Sequence, residues 1–549
     1  MRTSTISALL SLLSLSSLTS ASPITVTVPE LPDEFLCRNP TTLEKCVTKV
    51  FHGDTRRIVS ATSPFYTDAR LGEKVQYNQL PALIAYATSA GDVAPLIKCA
   101  QDSGFKAVPR SGGHHFEAYS ALQDQLVIDV SHINYVKVSK NKETAVVGAG
   151  IRLGALYTEL WKFGKSIVGG LCPTVGLGGL VHAGGFGMQM RELGFTVDYV
   201  LSAQVVLASG ATVTVSKTQN EDLYWAIRGG GGGTFGIVVE FTLQLVTMPR
   251  SAMVQINWPN ATDRFAASKR FLEWAPRAPK EFTSQINVYG PSAQILGWYY
   301  GKSKAEAVEL IAASGLLEIG NPEVVIAGNC STFNSRLFGY TVHDCVPDNE
   351  LDVSIINVVQ EPFGKWKDFP QYTLNETPKN PAIATAHPWS RYLRIAKTFL
   401  LTKSRVEMLT DGIIQGIMDR IAALPTEAQA WGEWHAWNVS SPAKAEAAFP
   451  WRDEAYAVLE FQVHGNEDPV KDAVLKNWFT ELEGFLRPVL GGASYGGYMD
   501  EGLTGNKLQA YYAGSLCRLV EVKMRYDPTG FFENPMSVPG SAVAAGVQC

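Results

Sequence analysis

Hydrophobic and polar positions alternate along this chain with two periods. Leu126-Val127-Ile128-Asp129-Val130 is an apolar run of strand length, and Thr144 to Val147, Ala203 to Ala208 and Gly236 to Val246 share its texture. Between them, Asp92 to Ser103 repeats at helical spacing. Val93, Leu96, Ile97 and Ala100 fall on one face, and Gly104 ends the run. From about Asn78 to Val246 the pattern predicts short strands alternating with helices, joined by glycine turns. After Met248 the texture changes. Helical runs at Ala305 to Ser314 and Arg405 to Ala423 sit between strand-like stretches such as Glu454 to Val463. The last segment predicts one helix from Lys507 to Tyr526, stopped by Asp527-Pro528. The fold class expected is α+β, with no fixed-period repeat.

The N-terminus breaks the pattern. Ile6 to Leu18 is a Leu/Ser/Ile run behind Arg2, followed by Thr19, Ser20 and Ala21. It is too short and serine-rich to span a membrane, which takes about 20 residues. It predicts a signal peptide over residues 1–21 and a secreted, extracellular protein. Four Asn-x-Ser/Thr sequons at Asn260, Asn329, Asn375 and Asn438 fit that compartment, as do the eight cysteines. Cys330 and Cys345 flank a short polar loop and could close it. The net charge is −5 and no Lys/Arg block stands out, which argues against a nucleic-acid partner. Nine histidines include no His-x-x-x-His pair, and no Cys-x-x-Cys occurs, so no metal site is expected.

Chemistry enters through three glycine clusters. The first is Arg110-Ser111-Gly112-Gly113-His114-His115, directly after the strand-like Lys106 to Pro109. Glycines let backbone N–H groups approach an anion, and Arg110 adds positive charge, which suits a diphosphate; from these residues alone a plain hairpin turn is the stronger reading. The second runs from Gly169 through Cys172-Pro173-Thr174-Val175-Gly176 to Gly187. It fails Gly-x-Gly-x-x-Gly because Val181 takes the last position, so a Rossmann phosphate loop is not supported. The third is Gly229 to Gly233, between Trp225-Ala226-Ile227-Arg228 and the strand Ile237-Val238-Val239.

Together Arg110 to His115, Gly170 to Gly187 and Arg228 to Val238 resemble the berberine bridge enzyme-like flavoproteins, of the vanillyl-alcohol-oxidase (PCMH) type of FAD-binding fold. Tyr511-Tyr512, Arg518-Leu519-Val520, Lys523, Asp527-Pro528 and Phe531-Phe532 match that family's tail. The resemblance implies a two-subdomain FAD-binding domain at 76–248, with 22–75 as its N-terminal segment. It implies an α+β substrate domain with a large antiparallel sheet at 249–485, and a segment 486–549 returning to the FAD domain. It also implies FAD held by two covalent bonds, His114 to the 8α carbon and Cys172 to carbon 6. Arg110, Ser111, Gly112, Gly113, His115, Tyr119, Pro173, Thr174, Gly176, Gly179, Gly184, Gly185, Gly187, Gly236, Val238 and Tyr511 would complete the cofactor site. A Cys37–Cys99 disulfide is implied as well. With Cys172 taken by flavin, the remaining seven cysteines are an odd number, so one is left over.

For the reaction, the resemblance points to Glu433 in Glu433-Trp434-His435-Ala436-Trp437, where sugar-oxidising members carry an acid two residues before a histidine. Their two following glycines are Ala436 and Trp437 here. Phe449-Pro450-Trp451-Arg452 resembles the family's Phe-Pro-His-Arg run. Tyr498, in Ser494-Tyr495-Gly496-Gly497-Tyr498-Met499-Asp500, matches a tyrosine facing the flavin, with Gly497 in place of the usual asparagine. Phe116 lacks the usual hydroxyl, while Tyr119 is closer to the fungal oligosaccharide oxidases. A phenol with a pKa of about 10 is a poor base at neutral pH, so Glu433 and Tyr498 make sense as a unit. A solvated strand carboxylate and a buried tyrosine remain the alternatives for the two. The implied reaction is hydride transfer from an alcohol or sugar hemiacetal carbon to flavin N5, with O2 reduced to H2O2, and the expected function is oxidation of an oligosaccharide to its lactone; an oxidase of secondary metabolism acting on an alkaloid or polyketide, and a secreted protein that keeps flavin without turnover, are the alternatives. Trp431, Trp434 and Trp437 would stack on a sugar, on a polycyclic metabolite, or belong to the core. The expected partners are a small-molecule substrate, either an oligosaccharide or a secondary metabolite, and O2. A monomer is expected, without nucleic acid or membrane.

Overall fold

The apolar runs of the first half become two layered sheets, and the alternating runs of the second half become one large sheet. The structure is a computed structural model that describes residues 40–64, 66–72, 74, 77–172, 174–330, 394–424, 430–439, 446–464 and 469–549. The expected signal peptide at 1–21, Cys37, Pro173, Cys345 and Asn375 lie outside the described residues.

Four strands form the first sheet: β1 (Ile58–Val59), β2 (Leu83–Tyr86), β3 (Ala107–Arg110) and β4 (Leu126–Asp129), in the order β1-β2-β4-β3. The last three are parallel, and β2 and β4 are fully buried, which is why Leu126 to Asp129 reads as an unbroken apolar run. The second sheet takes β5 (Val136–Val138), β6 (Thr144–Gly148), β8 (Val200–Val206), β9 (Thr212–Ser216) and β10 (Ile237–Gln244), in the antiparallel order β5-β6-β10-β8-β9. A short pair, β7 (Lys165–Ser166) with β11 (Val246–Thr247), follows.

The third sheet has seven antiparallel strands: β12 (Ser251–Trp258), β13 (Phe282–Tyr289), β14 (Ala293–Tyr299), β15 (Glu323–Cys330), β16 (Arg394–Thr402), β17 (Ala430–Ala436) and β18 (Ala455–His464). Their order is β15-β12-β14-β13-β17-β18-β16. Its two faces differ because side chains alternate with period two. One face carries Ile256, Ile286, Ile295, Phe399, Trp434, Leu459 and Phe461. It packs in one core with Phe271, Ile417 and Leu482 from the helices Arg264–Trp274, Asp411–Ala422 and Pro469–Leu490. The other face carries Gln285, Asn287, Glu433, His435, Glu460 and Gln462, and borders a cavity instead. The large antiparallel sheet and the α+β class agree with the sequence expectation.

Three elements differ from it. The expected helix from Arg405 is a 3-10 turn over Lys403–Met408 and then a helix over Asp411–Ala422, separated by Thr410 in an extended conformation. The expected Lys507 to Tyr526 helix is broken. It runs Lys507–Tyr512, turns at Ala513 with φ 42°, and resumes over Leu516–Tyr526. Cys99 pairs with Cys46 rather than Cys37, because the helices Pro40–Val50 and Ala90–Asp102 lie side by side and bring the two Cα atoms to 5.6 Å. Cys517 and Cys549 form a second bridge, and Cys330 is also disulfide-bonded.

The C-terminal segment is anchored to the glycine-rich half by one buried ammonium. Lys523 Nζ donates to Thr234 O (2.6 Å), Phe532 O (2.6 Å) and Asp527 Oδ2 (2.7 Å). Asp527 in turn accepts from the Phe531 and Phe532 N–H groups, both at 2.9 Å. Both members of the pair are buried. Lys523→Met is expected to lower stability by about 3–5 kcal/mol in urea denaturation, because Asp527 would keep its charge without its partner.

Candidate active site

A cavity of ≈ 1210 Å³ lies between the glycine clusters and the polar face of the seven-stranded sheet. That is more than the roughly 300–1,000 Å³ of an ordinary small-ligand pocket, and it leaves space for a large cofactor and a substrate together.

The glycine wall is built by close backbone approach. At Gly112 a Cβ would run into the backbone nitrogen of Gly176, so only glycine lets the first and second clusters touch. Arg152 clips them together. Its Nη1 donates to Gly112 O (3.0 Å) and Thr174 O (2.6 Å). Ser111 Oγ donates to Ala149 O at 2.9 Å. The result places His114 and Cys172 on one wall. His114 Nε2 is 2.8 Å from Thr174 Oγ1, and Cys172 Sγ is 3.5 Å from the same hydroxyl. Cys172 presents an exposed thiol at the cavity. Burial pushes the neighbouring His115 imidazole down to about 4, so it stays neutral at ordinary pH.

Ser111, Gly112, Gly113, His114, His115, Tyr119, Cys172, Thr174, Gly176, Gly179, Gly187, Gly236 and Val238 all line the cavity, as do Glu433 and Tyr498. Four expected cofactor contacts have other work. Arg110 is buried and paired with Asp129 Oδ2 at 2.5 Å, its opposite number on β4, so its charge is spent inside the sheet. Gly184 and Gly185 have φ of 102° and 73° and make room for Phe449 and Thr196. The Tyr511 hydroxyl accepts from Asp500 N–H at 2.8 Å, away from the cavity; its neighbour Tyr512 lines it. Pro173 lies outside the described residues.

The floor is the sheet. Glu433 on β17 has His435 Nε2 at 3.1 Å from Oε1, and Gln462 Nε2 donates to Oε2 at 3.5 Å. Glu460 stands directly across the strand pair from Glu433. Gln285 Nε2 donates to Asn287 Oδ1 at 3.1 Å. Phe186 joins floor to wall: its ring packs edge-on against His435 (5.0 Å), Tyr495 (5.2 Å) and Tyr498 (6.1 Å). Tyr498 also stacks on Phe116 at 4.8 Å, and Lys74 Nζ lies 4.3 Å from the centre of the Phe116 ring. Burial raises the Tyr495 phenol well above its usual range, so it is protonated. Of the three tryptophans near Glu433, only Trp431 lines the cavity. Trp434 and Trp437 are fully buried in the two main cores.

Sequence reasoning missed Arg152, Phe186, Glu460 and Gln462. It also found no metal spacing, whereas ligand atoms of Glu433, His435 and Glu460 lie within 4.8 Å of one another. The cluster spans two strands, so no local motif encodes it.

The residues present fit a flavin dinucleotide. Tyr119 and Tyr512 bring buried hydroxyls without protein partners to the cavity edge, available to a polar ligand. A Cβ on Gly179 would meet nothing within 4 Å, so the wall there opens toward the ligand space.

Comparisons with known proteins agree with this architecture. The family profile described as FAD binding domain matches residues 81–216, and that described as berberine and berberine like matches 494–539. FAD-linked oxidoreductase pynB of Aspergillus niger is 53% identical over 511 residues, covering 92% of this chain and 94% of that protein. A xylooligosaccharide oxidase of Thermothelomyces thermophilus is 27% identical, covering 84% of this chain and 88% of its own. Among solved structures, berberine bridge enzyme-like 1 of Physcomitrella patens has a TM-score of 0.75 at 26% identity, covering 91% of this chain and 99% of that one. Glucooligosaccharide oxidase of Acremonium strictum, described with a 6-S-cysteinyl, 8α-N1-histidyl FAD, has a TM-score of 0.73 at 22% identity, covering 91% and 99%. Identity of this extent over almost the whole of a curated relative, on this fold, makes the chain a member of the berberine bridge enzyme-like FAD-linked oxidoreductases.

Proposed function

We propose that this FAD-linked oxidoreductase is a secreted oxidase that dehydrogenates a hydroxyl-bearing carbon of a small organic substrate, with O2 as final electron acceptor. The observation that carries the reading is the presence of Glu433 and His435 in the same cavity as His114 and Cys172. FAD supplies a two-electron acceptor when bound, and His114 and Cys172 would tether it at two points. The chain's own residues manage the proton. Glu433, with His435 beside it and Gln462 donating to it, takes the hydroxyl proton as the C–OH becomes C=O. Tyr498, fixed between Phe116 and Phe186, is placed to orient that hydroxyl.

The burial of Trp434 and Trp437 removes two of three candidate sugar-stacking faces. That favours a compact hydroxylated metabolite over an oligosaccharide. The second reading, a carbohydrate oxidase, is supported by the relation to the xylooligosaccharide oxidase. The test is anaerobic mixing with two panels, one of hydroxylated polycyclic and heterocyclic compounds and one of xylo- and chito-oligosaccharides, followed by the visible flavin bands. Bleaching by the first panel alone is the expected result. Bleaching by the oligosaccharides would replace this reading with the second. No bleaching by either, with dithionite still effective, would count against the alcohol chemistry.

A further inference from the structure

The polar floor of the cavity has a direction. Along β13, residues 283, 285, 287 and 289 share one face; Thr283, Gln285 and Asn287 are buried, while Tyr289 is partly exposed. β17 runs the other way. His435 is buried against Phe186, and Trp431, opposite Tyr289, is partly exposed. The floor is therefore closed beside the glycine wall and opens past Tyr289 and Trp431. From Gln285 to Tyr289 the distance is about 13 Å, at roughly 3.3 Å per residue.

The closed end is built to accept hydrogen bonds. Gln285 Nε2 donates to Asn287 Oδ1 (3.1 Å), Asn287 Nδ2 to Gln294 Oε1 (3.3 Å), and Gln294 Nε2 to Asn257 Oδ1 (2.9 Å), which also accepts from Gln255 Nε2 (3.2 Å). Each amide orients the next. The ladder ends at Gln285 with its nitrogen used and Oε1 without a hydrogen-bond partner in the protein. Gln462 ends the same way: Nε2 turns to Glu433, and Oε1 has no protein partner. Both glutamines are 4% exposed and line the cavity. A buried acceptor left without a partner costs free energy, so a ligand that brings O–H or N–H donors gains there.

The open end has the opposite chemistry. Past Tyr289 and Trp431 the lining includes Ala261, Pro291, Ala422 and Leu424, from the turn before the helix Arg264–Trp274, the β13–β14 hairpin and the end of the helix Asp411–Ala422. None of these four side chains can form a hydrogen bond, and Ala261, Pro291 and Ala422 are exposed. Arg264 donates Nε to Ala261 O (3.0 Å) and Nη1 to Tyr289 O (3.1 Å), so its guanidinium ties the rim together. A chain of sugar units leaving by this route would meet few polar side chains beyond Gln462. A hydrocarbon would bury apolar surface on Trp431 and Leu424.

We infer that the substrate is an amphiphile. Its donor-bearing polar head lies against Gln285 and Gln462, and its hydrocarbon tail runs over Trp431 and Leu424 to the opening at Ala261 and Pro291. This rests on the reading of Glu433 as the base for a compact hydroxylated metabolite, and it adds to that head an apolar tail. Gln285 and Leu424 are then specificity-determining residues, one for each end of the molecule.

The experiment is calorimetric titration of the anaerobic, dithionite-reduced holoenzyme, in which binding is read without turnover. The probes are 1,2-butanediol, 1,2-hexanediol and 1,2-octanediol, with sorbitol as a six-carbon chain hydroxylated throughout. Affinity is expected to rise by about twofold to fourfold per added methylene. Sorbitol is expected to bind more weakly than 1,2-hexanediol. Leu424→Asp should flatten the rise. Gln285→Leu should weaken every diol by about tenfold and leave the rise per methylene in place. Affinity independent of tail length, or no binding by any diol, would overturn the proposal in the wild type alone, whether or not the variants fold. Sorbitol binding more tightly than 1,2-hexanediol would replace the tail with a polyhydroxylated extension. An unchanged rise in Leu424→Asp would place the tail elsewhere, and a Gln285→Leu protein that binds like the wild type would remove the head contact. Turnover of Glu433→Gln decides the base separately. If that variant is inactive and the diol series is flat, the base stands and the amphiphile falls.

Discussion

Glu433→Gln is expected to slow substrate-dependent flavin reduction by about 10²–10⁴-fold, the range of a positioned general base, while the protein keeps its flavin spectrum. The substitution nearly preserves shape. The new side-chain amide would still accept from Gln462, and the apolar face of β17, with Trp434 in the core, is untouched. What disappears is the negative charge facing the cavity beside His435. The loss should therefore fall on the rate of reduction at saturating substrate, read by stopped-flow absorbance. Dithionite should reduce wild type and variant alike. A variant that reduced its flavin at the wild-type rate would remove Glu433 from the chemistry.

The second large effect concerns the tether. In the double variant His114→Ala with Cys172→Ala, all flavin is expected in the supernatant after acid precipitation, against a coloured pellet for the wild type. Each single variant should keep its flavin in the pellet through the remaining bond. The geometry gives the reason. Both side chains lie beside Thr174 Oγ1 and line the same cavity, so a flavin bound there would be within reach of both. Neither substitution touches the Arg152 clip or the Gly112–Gly176 contact that builds the wall, so the binding space should survive. Flavin retained in the pellet of the double variant would show that the tether lies elsewhere.

How much of this was legible in the sequence differs by feature. Buried strands such as Leu126 to Asp129 announce themselves because both faces are covered. The glycine clusters also read through, because close backbone approach tolerates little but glycine there. The floor of the site did not. In Leu459-Glu460-Phe461-Gln462-Val463 polar and apolar residues alternate, and this pattern is the same whether the polar face meets water or a buried cavity. Arg110 looked like an anion-binding charge because Asp129 is 19 residues away in sequence and meets it only through the parallel pairing of β3 with β4. Tyr511 and Tyr512 are adjacent on the helix Lys507–Tyr512, where neighbouring side chains point in different directions, and only Tyr512 lines the cavity. The Cys46–Cys99 bridge follows from the packing of two helices, which spacing along the chain does not encode.

The most direct test of the central claim, that flavin sits against the wall formed by His114 and Cys172 and faces the Glu433 floor, is mass mapping of proteolytic peptides from the purified wild-type protein. One flavin-bearing species is expected, in which the peptide containing His114 and the peptide containing Cys172 are joined through the same flavin. Recovery of both peptides unmodified, from protein that carried flavin before digestion, would contradict it.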